Sequence, residues 1–114
     1  MLLTDSDIEA YKAELIAEKA RLADEDLAGA DDRGTVVLDQ QSVGRLSRMD
    51  ALQRQAMAQA TTRRRAARTT RIDAALARID EGEFGYCQDC GEQIDRARLD
   101  LDAAVPACVS CAKG

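Results

Sequence analysis

Between Gly44 and Gly82 the sequence RLSRMDALQRQAMAQATTRRRAARTTRIDAALARIDE contains neither proline nor glycine. No residue in it interrupts a helix. The pattern predicts a helix that starts between residues 39 and 47 and runs to Glu81, where Gly82 supplies a C-terminal stop. At about 1.5 Å per residue such a helix is on the order of 50 Å long. It needs a partner for its small and apolar face, because tertiary packing rather than propensity sustains most helices. Residues 51–77 carry nine alanines, which let another helix approach closely. With aromatics at 3% and charged residues at 32%, the chain lacks the large side chains of a broad core. Its apolar burial is expected along a narrow helical seam.

The partner is predicted over residues 4–28. Thr4 or Asp5 can cap it, and acids in the first turn suit the helix dipole. Ile8, Tyr11, Leu15 and Leu22 recur at three-, four- and seven-residue steps and share one face. This helix is acid-rich, whereas the second holds nine arginines from Arg45 to Arg78, so antiparallel pairing also matches charge. The intervening GADDRGTVVLDQQSVGRLS has the glycines and paired aspartates of a turn region. Ser47 followed by Asp50 matches a capping box with Asp in place of Glu.

The fold class expected is mainly α: a long antiparallel helical hairpin, or coiled coil, over residues 1–82 with its tip at about 29–50, and a four-cysteine module over residues 83–114 at its base. The lengths suggest that about ten residues of the second helix extend past the first at the Gly82 end. There Ile72, Leu76 and Ile79 would be covered by Phe84, Ile94, Leu99, Leu101 and Val105 of the module. Met49 and Met57 are expected as seam fillers.

All four cysteines fall in that module as two C-x-x-C pairs, Cys87 with Cys90 and Cys108 with Cys111, separated by 17 residues. Gly91 follows the first pair and can take the positive φ that a metal knuckle requires. Two knuckles bring four thiolates into a tetrahedron, the closed geometry of structural zinc. Two disulfides would suit a secreted chain, but MLLTDSDIEAYKAEL lacks the basic start and apolar run of a leader. A thioredoxin-like redox pair would need a βαβ context that the sequence does not show. With every metal position taken by sulfur and no histidine in the chain, general-base and Cys-His chemistry are removed. The expectation is a non-enzymatic, cytoplasmic, monomeric protein. No apolar stretch approaches the roughly 20 residues that span a bilayer. A net charge of −5 argues against general nucleic-acid affinity.

A helix ending in RIDEGEFGYCQDCGEQI, followed by RL and a second C-x-x-C, resembles the DksA/TraR family, whose members carry an FGYC-x-x-CG knuckle at the base of a coiled coil. The likeness is specific over residues 79–111 and architectural over residues 4–78. VGRLSRMDALQ is similar to the shorter DksA-like proteins of the group. The resemblance implies a bacterial transcription regulator that binds RNA polymerase and does not read DNA. Its coiled coil enters the secondary channel and brings acidic tip residues toward the catalytic magnesium. Initiation complexes change in stability, often together with guanosine tetraphosphate in the stringent response.

Carried over residue by residue, the family's D-x-x-D-x-A tip falls on Gly44, Ser47 and Met49. Asp50 and Ala51 lie one residue off, with Asp39 the next acid upstream; these three are the tip candidates, and Asp50 equally suits a helix cap. At the nucleotide-contact positions Arg71 stands for a lysine, Asp102 for an arginine, and Ala112 for a lysine with Lys113 adjacent. Arg71 and Lys113 are therefore the nucleotide-cleft candidates. The sequence ends three residues after Cys111, without the C-terminal helix of longer members.

Two other readings compete. The first is a zinc-ribbon nucleic-acid-binding module or a structural zinc protein; the nucleic-acid-binding form would need a basic face near the knuckles, yet acids outnumber arginines over residues 86–111. A thiol oxidoreductase would need to turn over a disulfide substrate. The RRRAAR run, residues 63–68, is either a partner-contact patch or a solvated face pairing with acids of the first helix. Arg96 and Arg98 are expected to tie the module to helix carboxylates.

Overall fold

The computed structural model describes residues 3–29 and 45–113. Four helices follow in order: α1 (Asp5–Ala28), α2 (Arg45–Asp80), α3 (Arg96–Leu101) and α4 (Val109–Lys113). Among the described residues there is no strand, only an isolated antiparallel bridge between Tyr86 and Gln93. No described helix is long and apolar enough to cross a membrane. The chain divides into two compact units: residues up to 20 with those from 68 onward, and residues 21–67.

In the first unit, α1 opens with a reciprocal capping box. The Asp7 N–H donates to Thr4 Oγ1 at 3.1 Å, and the Thr4 N–H donates to Asp7 Oδ2 at 3.0 Å. Two orphan donors of the first turn are thereby satisfied. Tyr11 and Leu15 are the buried residues of α1, as their spacing predicts. Ile72 and Ala75 of α2 are buried in the same core with Phe84, Ile94, Leu99 and Val105. The Tyr11 and Phe84 rings lie 5.7 Å apart and tilted, while the Tyr11 hydroxyl donates to the Asp100 carboxylate. Tyr11 thus joins the seam to the cysteine module through both ends of its side chain. Leu101 is 90% exposed and takes no part in covering the helices. It sits at the end of α3 on the face opposite Leu99, so the six-residue helix buries one leucine and leaves the other outside.

The chain leaves α2 through a Schellman turn. Gly82 has φ +76°, its N–H donates to the Ile79 carbonyl at 3.1 Å, and the Glu83 N–H reaches back to the Arg78 carbonyl at 2.8 Å. The predicted glycine stop is the residue that makes this turn without Cβ strain. The expected overhang of α2 at this end is absent. Lys19 pairs with Asp73 at 2.7 Å, so it is the first turns of α1 that run beyond Asp80, where Asp7 and Tyr11 meet the module.

Arg68 is the electrostatic hub of this unit. Its Nε and Nη2 bind Glu18 at 2.6 and 2.9 Å, and its Nη1 donates to Asp102 Oδ1 at 2.7 Å. The Glu18 hydrogen bonds are the main reason its pKa rises above the ordinary guanidinium value. Burial pushes the Asp102 carboxyl upward, but the Arg68 hydrogen bond, the Ala104 N–H and the charges of Arg68 and Arg71 outweigh it, and its pKa ends below the ordinary value. Arg68→Met leaves two partly buried carboxylates facing each other. It is expected to cost about 1–3 kcal/mol, less than a fully buried pair because the groups keep partial solvent access. A carboxylate with a depressed native pKa contributes fully above its unfolded pKa of about 4 and loses that contribution as pH falls through the native value. The gap in thermal midpoint between wild type and Arg68→Met should therefore be full at neutral pH and close below about pH 4. A gap that widens on acidification would contradict this assignment.

In the second unit, α1 and α2 again run antiparallel. Arg65 pairs with Glu25 at 3.5 Å and Asp26 at 3.1 Å, and Gly29 lines one hollow with Ala58, Thr61 and Thr62. Arg48, Ala51, Gln55, Ala58, Thr62 and Arg65, stepping alternately by three and four, are half-buried positions of α2, as are Ala60 and Thr61. No described residue of this unit is buried. Met49 and Met57, expected in the seam, are 53% and 70% exposed. The small and polar side chains take the seam positions and the methionines fall outside them. The RRRAAR run divides: Arg65 here and Arg68 in the first unit bind α1 carboxylates, whereas Arg63 and Arg64 face solvent.

Candidate metal centre

The cysteine module is built around a tight backbone loop. The Cys87 N–H donates to the Glu92 carbonyl at 2.7 Å, the Gly91 N–H to the Cys87 carbonyl at 2.8 Å, and the Ile94 N–H to the Gly85 carbonyl at 2.8 Å. Gly91 has φ +78°, the left-handed conformation its place after C-x-x-C predicts. Gly85, φ +92°, is a second such position, and a Cβ there would come within 2.9 Å of the Leu3 side chain. The second knuckle opens α4, with the Ala112 N–H donating to the Cys108 carbonyl at 2.9 Å. Two further bonds join the halves. The Gln88 N–H donates to the Pro106 carbonyl at 2.9 Å, and Arg98 Nε donates to the Ala107 carbonyl at 3.0 Å. Arg98 therefore braces the loop before Cys108 and does not reach a helix carboxylate. Arg96 does, binding Asp7 of α1 at 2.9 and 3.2 Å.

These loops gather the Sγ atoms of Cys87, Cys90, Cys108 and Cys111 within 4.8 Å of one another. Cys90 Sγ and Cys108 Sγ are 3.8 Å apart. A tetrahedron with metal–sulfur bonds of about 2.3 Å has edges of roughly 3.8 Å, whereas a disulfide would close to about 2.05 Å. The four cysteines are free thiols. Their electrostatics are those of crowded like charges. Backbone N–H groups of Cys108 and Cys90 draw the Cys87 thiol down to about 6. The Glu92 N–H also draws Cys90 down, but Cys87, burial and Cys108 outweigh it, so its pKa ends raised. The thiols of Cys108, Cys87 and Cys90 push Cys111 upward. Four thiolates so close are stable together only around a cation, and an all-sulfur tetrahedral set selects zinc. The donor set fits the metal, and it leaves no position open for a reacting water.

The other candidates lie apart from this centre. Asp50 is exposed and Ala51 half-buried, both inside α2, which begins at Arg45; Ser47 and Asp50 therefore do not form the start of that helix. Asp39 lies outside the described residues. Arg71 Nη2 is 3.7 Å from Asp102 Oδ2, and Lys113 is exposed in the last turn of α4. Sequence reasoning missed the structural weight of Asp102. Besides binding Arg68, it accepts the Ala104 N–H at 3.0 Å, and its own N–H closes α3 on the Arg98 carbonyl at 3.0 Å. The signal available was an aspartate just after a short helix, a common local-turn residue.

A family model described as the prokaryotic dksA/traR C4-type zinc finger matches residues 82–114. Haemophilus influenzae RNA polymerase-binding transcription factor DksA is 39% identical over 41 residues, covering 36% of this chain and 28% of that protein. The factor of the same name from Caulobacter vibrioides is 48% identical over 31 residues, covering 27% of this chain and 22% of its own. The matched region thus spans between about a fifth and under a third of these relatives' length. A solved structure of transcription factor DksA2 from Pseudomonas aeruginosa superposes with a TM-score of 0.81 at 18% identity, covering 97% of this chain and 84% of that one. That likeness extends the shared fold well beyond the finger.

Proposed function

We propose that this chain, whose residues 82–114 match the dksA/traR C4-type zinc finger, regulates transcription by binding RNA polymerase. The observation that carries the reading is the finger itself, packed against paired helices whose fold is shared with a solved DksA2. The zinc site has no catalytic opening, so the centre acts as a scaffold that holds Phe84, Ile94 and Leu99 against Tyr11, Leu15 and Ile72. The part that acts on polymerase is the helical pair. It enters the secondary channel and presents Asp50 and Ala51, with Asp39, to the catalytic region. The protein works as a monomer and without sequence-specific DNA contacts.

A role for guanosine tetraphosphate would use Arg71 and Lys113. Arg71 is half exposed and shares Asp102 with Arg68, so the nucleotide would have to compete with an internal carboxylate.

The test is binding of the zinc-loaded protein to purified core RNA polymerase, with open-complex lifetime measured at a responsive promoter, with and without the nucleotide. Asp50→Asn, a change at an exposed site, is expected to leave stability within about 0.5 kcal/mol. It should retain polymerase binding and lose most of the effect on open-complex lifetime. Absence of polymerase binding by the wild type would sink the reading. A salt-sensitive shift of DNA by the protein alone would favour a zinc-ribbon nucleic-acid-binding module instead.

A further inference from the structure

Arg78 stands apart from the other arginines of its unit. Arg68 is held by Glu18 and Asp102, Arg71 faces Asp102, Arg96 is held by Asp7, and Arg98 donates to a carbonyl. Arg78 is a half-buried residue whose guanidinium makes no hydrogen bond or ion pair to any described residue. It lines a cleft of about 400 Å³ between the last turn of α2 and the first knuckle, with Glu83, Tyr86 and Gln88 among the other walls. Burial lowers its pKa from the ordinary guanidinium value, partly offset by the charge of Glu81. Its nitrogens open onto the cleft and make no hydrogen bond among the described residues, so they are free to grip an anionic group in place of water.

We propose that this cleft receives a carboxylate side chain of a partner protein, gripped by the fork of Arg78 beside the Tyr86 ring. The guanidinium matches a carboxylate in two parallel hydrogen bonds. Tyr86, 37% exposed, supplies an apolar wall with a polar rim, and the Gln88 amide can donate a further bond. The backbone does not favour phosphate. The N–H groups of Gly82, Glu83, Gln88 and Gly91 are all committed to the carbonyls of Ile79, Arg78, Pro106 and Cys87, which leaves no nest of free donors. Glu83 in the wall and Glu81 nearby disfavour a dianion more than a single charge. The partner's identity rests on the polymerase reading above; the ligand chemistry does not.

The full-length zinc-loaded protein tests this in two arms. In the first, affinity for core RNA polymerase is compared for wild type, Arg78→Met and Arg78→Lys. Arg78→Met keeps the aliphatic stem and is expected to weaken binding at least ten-fold, with Arg78→Lys intermediate. Zinc content and thermal midpoint should be unchanged in both, which separates a lost contact from a lost fold. In the second arm, the Arg78 Nε–H resonance is followed during titration with N-acetylglutamate and with inorganic phosphate. A saturable shift with N-acetylglutamate, larger than with phosphate, is expected. If polymerase binds all three proteins equally, the inference is overturned while the polymerase reading stands. If the wild type does not bind polymerase, the polymerase reading fails and the titration alone decides. An unmoved Arg78 resonance, or a preference for phosphate, then rejects the carboxylate site.

Discussion

Stripping the metal with a strong chelator is expected to unfold residues 83–113 and loosen the adjacent ends of α1 and α2. The module buries Phe84, Ile94, Leu99 and Val105 with a few alanines, too little apolar surface to order some thirty residues unaided. Structural zinc sites supply apparent binding free energies of about 10–16 kcal/mol at neutral pH, comparable with the whole stability of a small domain at about 5–15 kcal/mol. Cys87→Ser should behave like chelation, because Cys87 is 2% exposed and sits where the two knuckles are tied together. The measurements are zinc per chain, expected at one, and hydrogen exchange over residues 83–113, expected to lose nearly all protection on chelation. Because ligation needs thiolates, metal retention should also fail on acidification. Full exchange protection in the chelated protein would show that the module folds on its own apolar contacts.

What the sequence revealed, and what it did not, divides along physical lines. Gly82, Gly91 and the cysteine spacing were legible because each answers a local demand: a left-handed turn residue or a fixed ligand geometry. Tyr11 and Leu15 were legible because helical periodicity is local too. Leu101 and Met57 were misplaced because side-chain type alone does not say which way a short helix is turned or which stripe becomes the seam. The reversed overhang was hidden for the same reason, since helix lengths do not fix the register that Lys19–Asp73 and Arg68–Glu18 set. The roles of Asp102 and Arg78 depend on residues distant in sequence, so no local pattern announces them. Asp39, one of the three proposed tip residues, lies outside the described residues.

The two units should differ sharply in what a single truncation costs. Ile72 is 0% and Leu99 1% exposed, so Ile72→Ala or Leu99→Ala removes a packed aliphatic group and leaves a cavity. Each is expected to destabilise the zinc-loaded protein by about 2–5 kcal/mol. Met57→Ala, at a 70% exposed site in the other unit, should lie within about 0.5 kcal/mol of wild type. The contrast follows from the seam itself: Ala51, Gln55, Ala58, Thr62 and Arg65 remove little apolar area from water, whereas Tyr11, Leu15 and Ile72 remove much more. Native-state hydrogen exchange should accordingly show two tiers, with amides of residues 21–28 and 48–64 opening at lower free energy than those of residues 9–17 and 70–78. Thr62→Leu provides the converse arm, since added apolar area at a half-buried seam position should raise protection in its own unit and leave the first tier unchanged. Equal protection across both tiers, or a Met57→Ala penalty matching that of Ile72→Ala, would mean that the small-residue seam is as strongly held as the zinc-bearing unit.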